Sequence, residues 1–169
     1  MPPVGWIKIN FDGSVQNLQG ITGFVIRNSD GHVLLASANK FGETTINVAE
    51  CLTLRDGLAL ALNRRWRKII VEEDSKLIID SVVKKVSIPW SIQQIVQDIL
   101  PMSSYSIRFQ HVFREANFTA DFVANMSHGL STSVVWEHGL PLSAVSPFYF
   151  DLFGLPCSRG FIFVIFVSV

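Results

Sequence analysis

Four acidic residues stand where divalent-cation chemistry could be assembled: Asp12, Glu50, Asp74 and Asp121. Each has an ordinary structural use as well. Asp12 precedes Gly13 and suits a turn. Glu50 lies three residues after Asn47, and the two could form a variant capping box. Asp74 precedes Ser75 and could cap the helix that follows. Asp121 would gain from the dipole in the first turn of a helix. As a set they carry more information. Glu50 belongs to the row Glu50, Leu54, Gly57, Ala61, otherwise small or apolar, and a carboxylate buried there needs a partner. Asp74 ends a strand that also carries Glu72 on the same face, and no arginine or lysine is spaced to neutralise all four acids. Converging carboxylates repel, so at least one should have a raised pKa. A hard divalent cation, Mg²⁺ or alternatively Mn²⁺, relieves that conflict with oxygen ligands. Two such ions about 3.5–4 Å apart can activate a water and stabilise the leaving oxygen of a phosphoryl displacement.

The elements that must position these acids are legible from periodicity. Trp6 to Asp12 alternates with period two, Ile7, Ile9 and Phe11 against Lys8, Asn10 and Asp12, and is expected to end at the Asp12-Gly13-Ser14 turn. Ile21 to Arg27 and His32 to Lys40 read as a hairpin around Asn28-Ser29-Asp30-Gly31. A helix over Val48 to Arg65 has a stripe of Val48, Cys51, Leu52, Leu58, Ala59 and Leu62 beside the Glu50 row. It is therefore packed on two sides, with Thr53, Asp56 and Asn63 on its polar arc. Lys68 to Asp74 is a fourth strand, Ser75 to Val86 a helix, and Trp90 to about Leu100 another, stopped by Pro101. Tyr105 to Phe113 is a fifth strand, and Asn117 opens a last helix that stops at Gly129. The order β-β-β-α-β-α-α-β-α implies an α/β fold: a mixed sheet with helices packed on it.

Composition narrows the class. Fourteen Lys+Arg balance fourteen Asp+Glu in 169 residues, and charged residues are 17% against 49% hydrophobic, which excludes disorder, a basic arm and an acidic tail. Any nucleic-acid partner must be held by local charge. Cys51 and Cys157 match no metal spacing, and Cys51 sits in an apolar helical pattern. The first residues show no secretion signal. The apolar run Phe161 to Val167 is seven residues against the roughly 20 that span a bilayer. A reduced, intracellular (cytoplasmic or nuclear) soluble chain with no membrane partner is expected, monomeric in the absence of any other signal. Residues 1–130 read as the domain, and 131–169 as a Ser/Pro/Phe-rich, partly or wholly irregular tail whose apolar end is aggregation-prone unless covered.

The segments Lys8 to Ser14, Gly23 to Asn28, Ala49 to Leu58, Val71 to Ser75 and His111 to Ala124 resemble, in order, the ribonuclease H-like domain of plants. That branch of the ribonuclease H type 1 superfamily is related to the ribonuclease H part of non-LTR retrotransposon reverse transcriptases. The resemblance covers roughly residues 4–130. Asp12-Gly13-Ser14 is a weak motif alone, whereas the ordered set ending in Arg114-Glu115-Ala116-Asn117 and Ala120-Asp121 is specific. It implies a five-stranded mixed sheet, three antiparallel strands then two parallel additions, with helices on both faces and the first and fourth strands side by side. It also implies an Asp-Glu-Asp-Asp catalytic metal site of Asp12, Glu50, Asp74 and Asp121, with Gly13, Ser14, Asn47 and Ser75 at the substrate. The implied reaction is Mg²⁺-dependent hydrolysis of the RNA strand of an RNA–DNA hybrid, selected by 2′-hydroxyl contacts across a shallow minor groove.

The chain departs from that pattern in two places. Many active members carry a flexible histidine loop before the last helix, and here Arg114-Glu115-Ala116-Asn117 is a short link. His111 falls in the strand and His128 at the helix end, where packed or solvated roles account for them. The basic protrusion is reduced to Arg64, Arg65, Arg67 and Lys68, with Lys84 and Lys85 elsewhere. Few phosphate contacts imply weak binding with a shallow salt dependence. The alternatives are a catalytically weak or inactive binding module derived from a mobile element, and a protein-interaction domain using the Phe-rich tail.

Overall fold

The computed structural model describes residues 1–114, 117–130 and 132–154. In chain order the elements are β1 (Ile7–Gln16), β2 (Gln19–Arg27), β3 (Val33–Glu43), α1 (Ile46–Asn63), β4 (Lys68–Glu73), α2 (Lys76–Val82), α3 (Trp90–Ile99), β5 (Ser106–His111), α4 (Phe118–Met126), β6 (Val134–Glu137) and α5 (Val145–Phe153). They form one mixed sheet of order β5-β4-β1-β2-β3-β6. β2 and β3 extend β1 antiparallel, while β4 pairs parallel with β1 and β5 parallel with β4. The mixed α/β architecture matches the sequence expectation except in strand number. The sixth strand, β6, pairs antiparallel with β3 (Leu35 opposite Glu137) and closes that edge. β6 and α5 both fall within the stretch expected as an irregular tail. The apolar run 161–167 and Cys157 lie outside the described residues, as do Glu115 and Ala116. No helix among the described residues is long and apolar enough to cross a membrane.

Strand alternation sends apolar side chains to two layers. Ile7, Ile9 and Phe11 of β1, with Phe24 and Ile26 of β2, pack against Cys51, Leu54 and Leu58 of α1 and Ile92, Val96 and Ile99 of α3. Val25, Ala36 and Ala38 face the other way, onto Val123 of α4 and Ala144. Ile9, Phe11, Leu54 and Leu58 are completely buried, each contributing roughly 1.5–3 kcal/mol. α1 is central, as its nearly all-round apolar surface requires. Its buried stripe includes Thr53, assigned to the polar arc from sequence. The Thr53 hydroxyl instead donates to the Ala49 carbonyl at 2.7 Å and so enters the core satisfied.

Three local expectations are corrected. β1 does not end at Asp12: Asp12 pairs with Gly23 and Gly13 with Thr22, and the strand runs on to Gln16. The chain reverses at Asn17 and Leu18, both at positive φ (50° and 64°), a two-residue hairpin connection. The N-cap of α1 is Thr45, whose hydroxyl accepts from the Val48 N–H at 3.4 Å; Asn47 lies inside the first turn, so Asn47 and Glu50 form no capping box. α2 stops at Val82 rather than Val86. Lys84 then adopts φ 59°, left-handed geometry that no helix continues through.

Candidate active site

Two glycines allow the acids to approach one another. A Cβ on Gly13 would lie 3.0 Å from the backbone nitrogen of Glu50, so its absence lets β1 run directly against the first turns of α1. A Cβ on Gly23 would lie 2.4 Å from the backbone nitrogen of Ala124, so α4 rests on the backbone of β2 at the residue paired with Asp12. Asp121, in the first turn of α4, is thereby held close enough to Asp12 to share a hydrogen bond. Asp74 directly follows β4, whose register with β1 (Asn10 opposite Glu72) carries Asp74 level with Asp12.

Asp12 is 4% exposed and Glu50 8%. A third carboxylate grouped with them is Glu73, 0% exposed, which was not among the residues singled out from sequence. One oxygen from each of Asp12, Glu50 and Glu73 lies within 4.8 Å of the other two. Asp74 and Asp121 flank this group and share one cation. The Arg114 guanidinium stands 3.8 Å from an Asp74 oxygen and 3.6 Å from an Asp121 oxygen, with its side chain 56% exposed.

The electrostatics follow from burial. Desolvation, reinforced by the Asp121 and Asp74 charges and opposed by Arg114, raises the Asp12 carboxyl to about 8. Glu50 rises to about 7, chiefly through burial, with the Ser75 side chain pulling it back. Burial, then the charges of Glu50 and Asp12, push Glu73 well above the carboxylate range. Asp12 Oδ2, Glu50 Oε2 and Glu73 Oε2 are all buried with no hydrogen-bond partner among the described residues. Oxygen donors, dense negative charge and unmet acceptors suit a hard divalent cation, and these residues fit one.

The remaining residues singled out from sequence are placed as follows. Ser14 is partly buried in β1, one residue past Gly13; Asn47 is partly buried in the first turn of α1; Ser75 occupies the N-cap position of α2 without capping through its side chain. His111 Nε2 donates to the Asp74 carbonyl at 3.1 Å, and the proton must be on that nitrogen because a carbonyl only accepts. His128 is exposed.

Beneath the acids, on the α4 face, lies a polar network with little sequence signal. The buried Asn10 amide donates to Glu72 (3.2 Å) and Asn117 (3.3 Å), and its carbonyl accepts from Arg27 at 2.9 Å. Asn117 donates to the Phe11 carbonyl at 2.8 Å, and Lys8 pairs with Glu72 at 2.8 Å. Asp151 of α5 lies 3.5 Å from Arg27 and accepts from the N–H groups of Phe118 (3.0 Å) and Thr119 (2.9 Å). A carboxylate from α5 therefore caps α4 and fixes the turn that carries Asp121.

The model of the reverse transcriptase-like family matches residues 10–127, which include all four sequence-singled acids. The chain belongs to this family of ribonuclease H-like domains. The ribonuclease H-like chain is 28% identical over 134 residues to an Arabidopsis thaliana protein provisionally named a ribonuclease H, covering 77% of this chain and 22% of that protein's length. Among solved structures it is similar to the N-terminal RNase H domain of a Mycobacterium tuberculosis protein. The TM-score is 0.69 at 25% identity, covering 73% of this chain and 94% of the other. It is also similar to LC11-RNase H1 solved with an RNA/DNA hybrid, at TM-score 0.64, 28% identity, 72% of this chain and 95% of that one.

Proposed function

We propose that this ribonuclease H-like domain binds RNA–DNA hybrids and hydrolyses their RNA strand, using divalent cations (Mg²⁺, with Mn²⁺ as substitute) held by Asp12, Glu50, Asp74 and Asp121. The observation that carries this reading is the buried convergence of Asp12 with Glu50, each with one buried oxygen that lacks a donor, beside the more exposed Asp74 and Asp121. An ordinary structural carboxylate at 4–8% exposure would be hydrogen-bonded or paired. Bound cations would supply activated water and neutralise the leaving oxygen of the scissile phosphate.

The residues' own part is positional and electrostatic. Asp12 and Glu50 must lose protons to act as ligands, so cation loading strengthens as pH rises through about 7 to 8. Gly13 keeps β1 and α1 in contact, and Asp151 keeps Asp121 turned to the site. Arg114 is in reach of Asp74 and Asp121, and partly offsets their repulsion before loading. The same reading assigns Ser14, Asn47 and Ser75, with the Gly13 backbone, to substrate contacts. Cleavage of a labelled hybrid with Mg²⁺, lost in Asp12→Asn and in Asp74→Asn, tests the reading. Product formation that survives either substitution contradicts it.

A second reading is supported by the sparse cationic surface. Arg64 is engaged with Glu137, and Arg67 donates to the Leu62 carbonyl at 2.7 Å and stacks on Tyr105. Few free cations remain there for phosphates, which favours a weakly catalytic hybrid-binding module. It predicts hybrid retention at low salt without products.

A further inference from the structure

The sequence Glu72-Glu73-Asp74 puts three acids in a row at the end of β4, and strand alternation separates their fates. Glu72 points to the α4 face, where Lys8 and Asn10 satisfy it. Asp74 is met by Arg114 at 3.8 Å. Glu73 points the other way, on the strand face of Ile69 and Val71, into the layer that holds α1. It is 0% exposed; its Oε1 receives a long 3.4 Å approach from the Ser75 N–H, the adjacent Asp74 carboxyl is within hydrogen-bond reach, and its Oε2 has no partner among the described residues. No cation among the described residues pairs with it. A carboxylate enclosed in this way is costly unless it is coordinated. Two neighbouring carboxylates, Asp12 and Glu50, also each present one unpartnered buried oxygen.

We propose that Glu73 is a fifth oxygen donor of this centre, forming with Asp12 and Glu50 a buried three-carboxylate site for one divalent cation. The proposal rests on the reading that these carboxylates hold divalent cations, and assigns the inner ion to a set that leaves out Asp74 and Asp121. Oxygens bound to one octahedral ion at about 2.1 Å sit roughly 3–4 Å apart. The observed limit of 4.8 Å therefore asks for side-chain adjustments well under the width of a backbone shift. Three protein carboxylates, one oxygen each, would replace three of the six waters of an octahedral ion. Mg²⁺ dehydrates reluctantly and is usually held by one or two carboxylates, so this site favours Mn²⁺, which carboxylates also suit.

The test is titration of the metal-free full chain with Mn²⁺ alone, followed by the electron paramagnetic resonance of free Mn²⁺ and by calorimetry, without nucleic acid. Wild type is expected to bind one Mn²⁺ more tightly than Mg²⁺. Loss of a direct ligand should weaken binding at least as much as loss of an outer partner does, about 10–100-fold. Glu73→Gln should therefore lose at least ~10-fold in Mn²⁺ affinity while Asp74→Asn loses less. Glu73→Asp, which keeps the charge on a shorter arm, should fall between wild type and Glu73→Gln. It serves as the readout should Glu73→Gln fold poorly. Wild-type Mn²⁺ affinity in Glu73→Gln or Glu73→Asp, or a larger loss in Asp74→Asn than in Glu73→Gln, overturns the proposal. Hybrid cleavage is scored separately. Cleavage with Mn²⁺ affinity indifferent to Glu73 removes the fifth ligand and leaves the nuclease; Glu73-dependent Mn²⁺ binding without cleavage does the reverse.

Discussion

Replacing Asp12 by Asn should stabilise the metal-free protein at alkaline pH, although it removes a residue at the heart of the site. In the folded chain burial and the Asp121 and Asp74 charges raise the Asp12 carboxyl from 3.8 to about 8. Between those values the folded state holds a proton that the unfolded state has released, so stability falls as pH rises. The loss begins near pH 4 and is complete a little above pH 8. At about 1.4 kcal/mol per pH unit, the rise corresponds to roughly 5 kcal/mol at pH 8. Asn keeps the shape and escapes this cost. A gain of roughly 3–5 kcal/mol raises the melting temperature of a chain this size by on the order of 10 °C. The assay is calorimetric melting in chelator from pH 4 to pH 8.5. The gap between Asp12→Asn and wild type should be small near pH 4 and widen steadily. Saturating Mg²⁺ should then stabilise wild type, by about 2.7 kcal/mol at 100 times Kd, and leave Asp12→Asn unmoved. A variant that melts at or below wild type at pH 8, or a gap independent of pH, would refute the reasoning.

Further outcomes follow from particular contacts. Asp151→Ala removes the partner of buried Arg27 and the cap of α4 together, and should cost about 3–5 kcal/mol in urea unfolding; a loss below 1 kcal/mol would show that α5 does not hold α4. Gly23→Ala sets a methyl 2.4 Å from the Ala124 nitrogen, so α4 must lift from β2. Overpacking of this kind costs about 1–3 kcal/mol, and Mn²⁺ affinity should drop with it. Gly57→Ala, whose Cβ would meet nothing nearer than 3.6 Å, should instead stabilise by up to about 1 kcal/mol, the helix preference of Ala over Gly. Cys51, fully buried and pushed up to about 12 chiefly by desolvation, should resist thiol reagents in native buffer and react on denaturation.

The sequence made the architecture legible where periodicity was strong. The alternation of Ile7, Ile9 and Phe11 and the apolar girth of α1 place β1 and α1 at the centre, and the Asp74 strand end falls where β4 stops. It failed where the signal was short or non-local. β6 is four residues on an edge, too brief for a period, and α5 holds its place through Asp151, more than thirty residues from the Phe118 and Thr119 amides it caps. Asp12-Gly13 resembles a turn, yet Gly13 is needed for contact with α1 rather than for reversal. The true reversal uses Leu18 at positive φ, which no propensity favours. Thr45 and Asn47 are both good N-caps, and the choice between them was not local. Glu73 did carry a usable signal. Counting by two from Ile69 and Val71 puts it on the buried face, where an acid needs a reason.

The account stands most directly on calorimetric titration of Mg²⁺ into the metal-free chain at pH 7, in two buffers of different ionisation enthalpy. Asp12 and Glu50, raised to about 8 and about 7, hold protons there that ligation must expel. Saturable binding with proton release, absent in Asp12→Asn, is the predicted result. A wild-type chain that is fully folded yet takes up no divalent ion, or takes it up with no proton released, would contradict it.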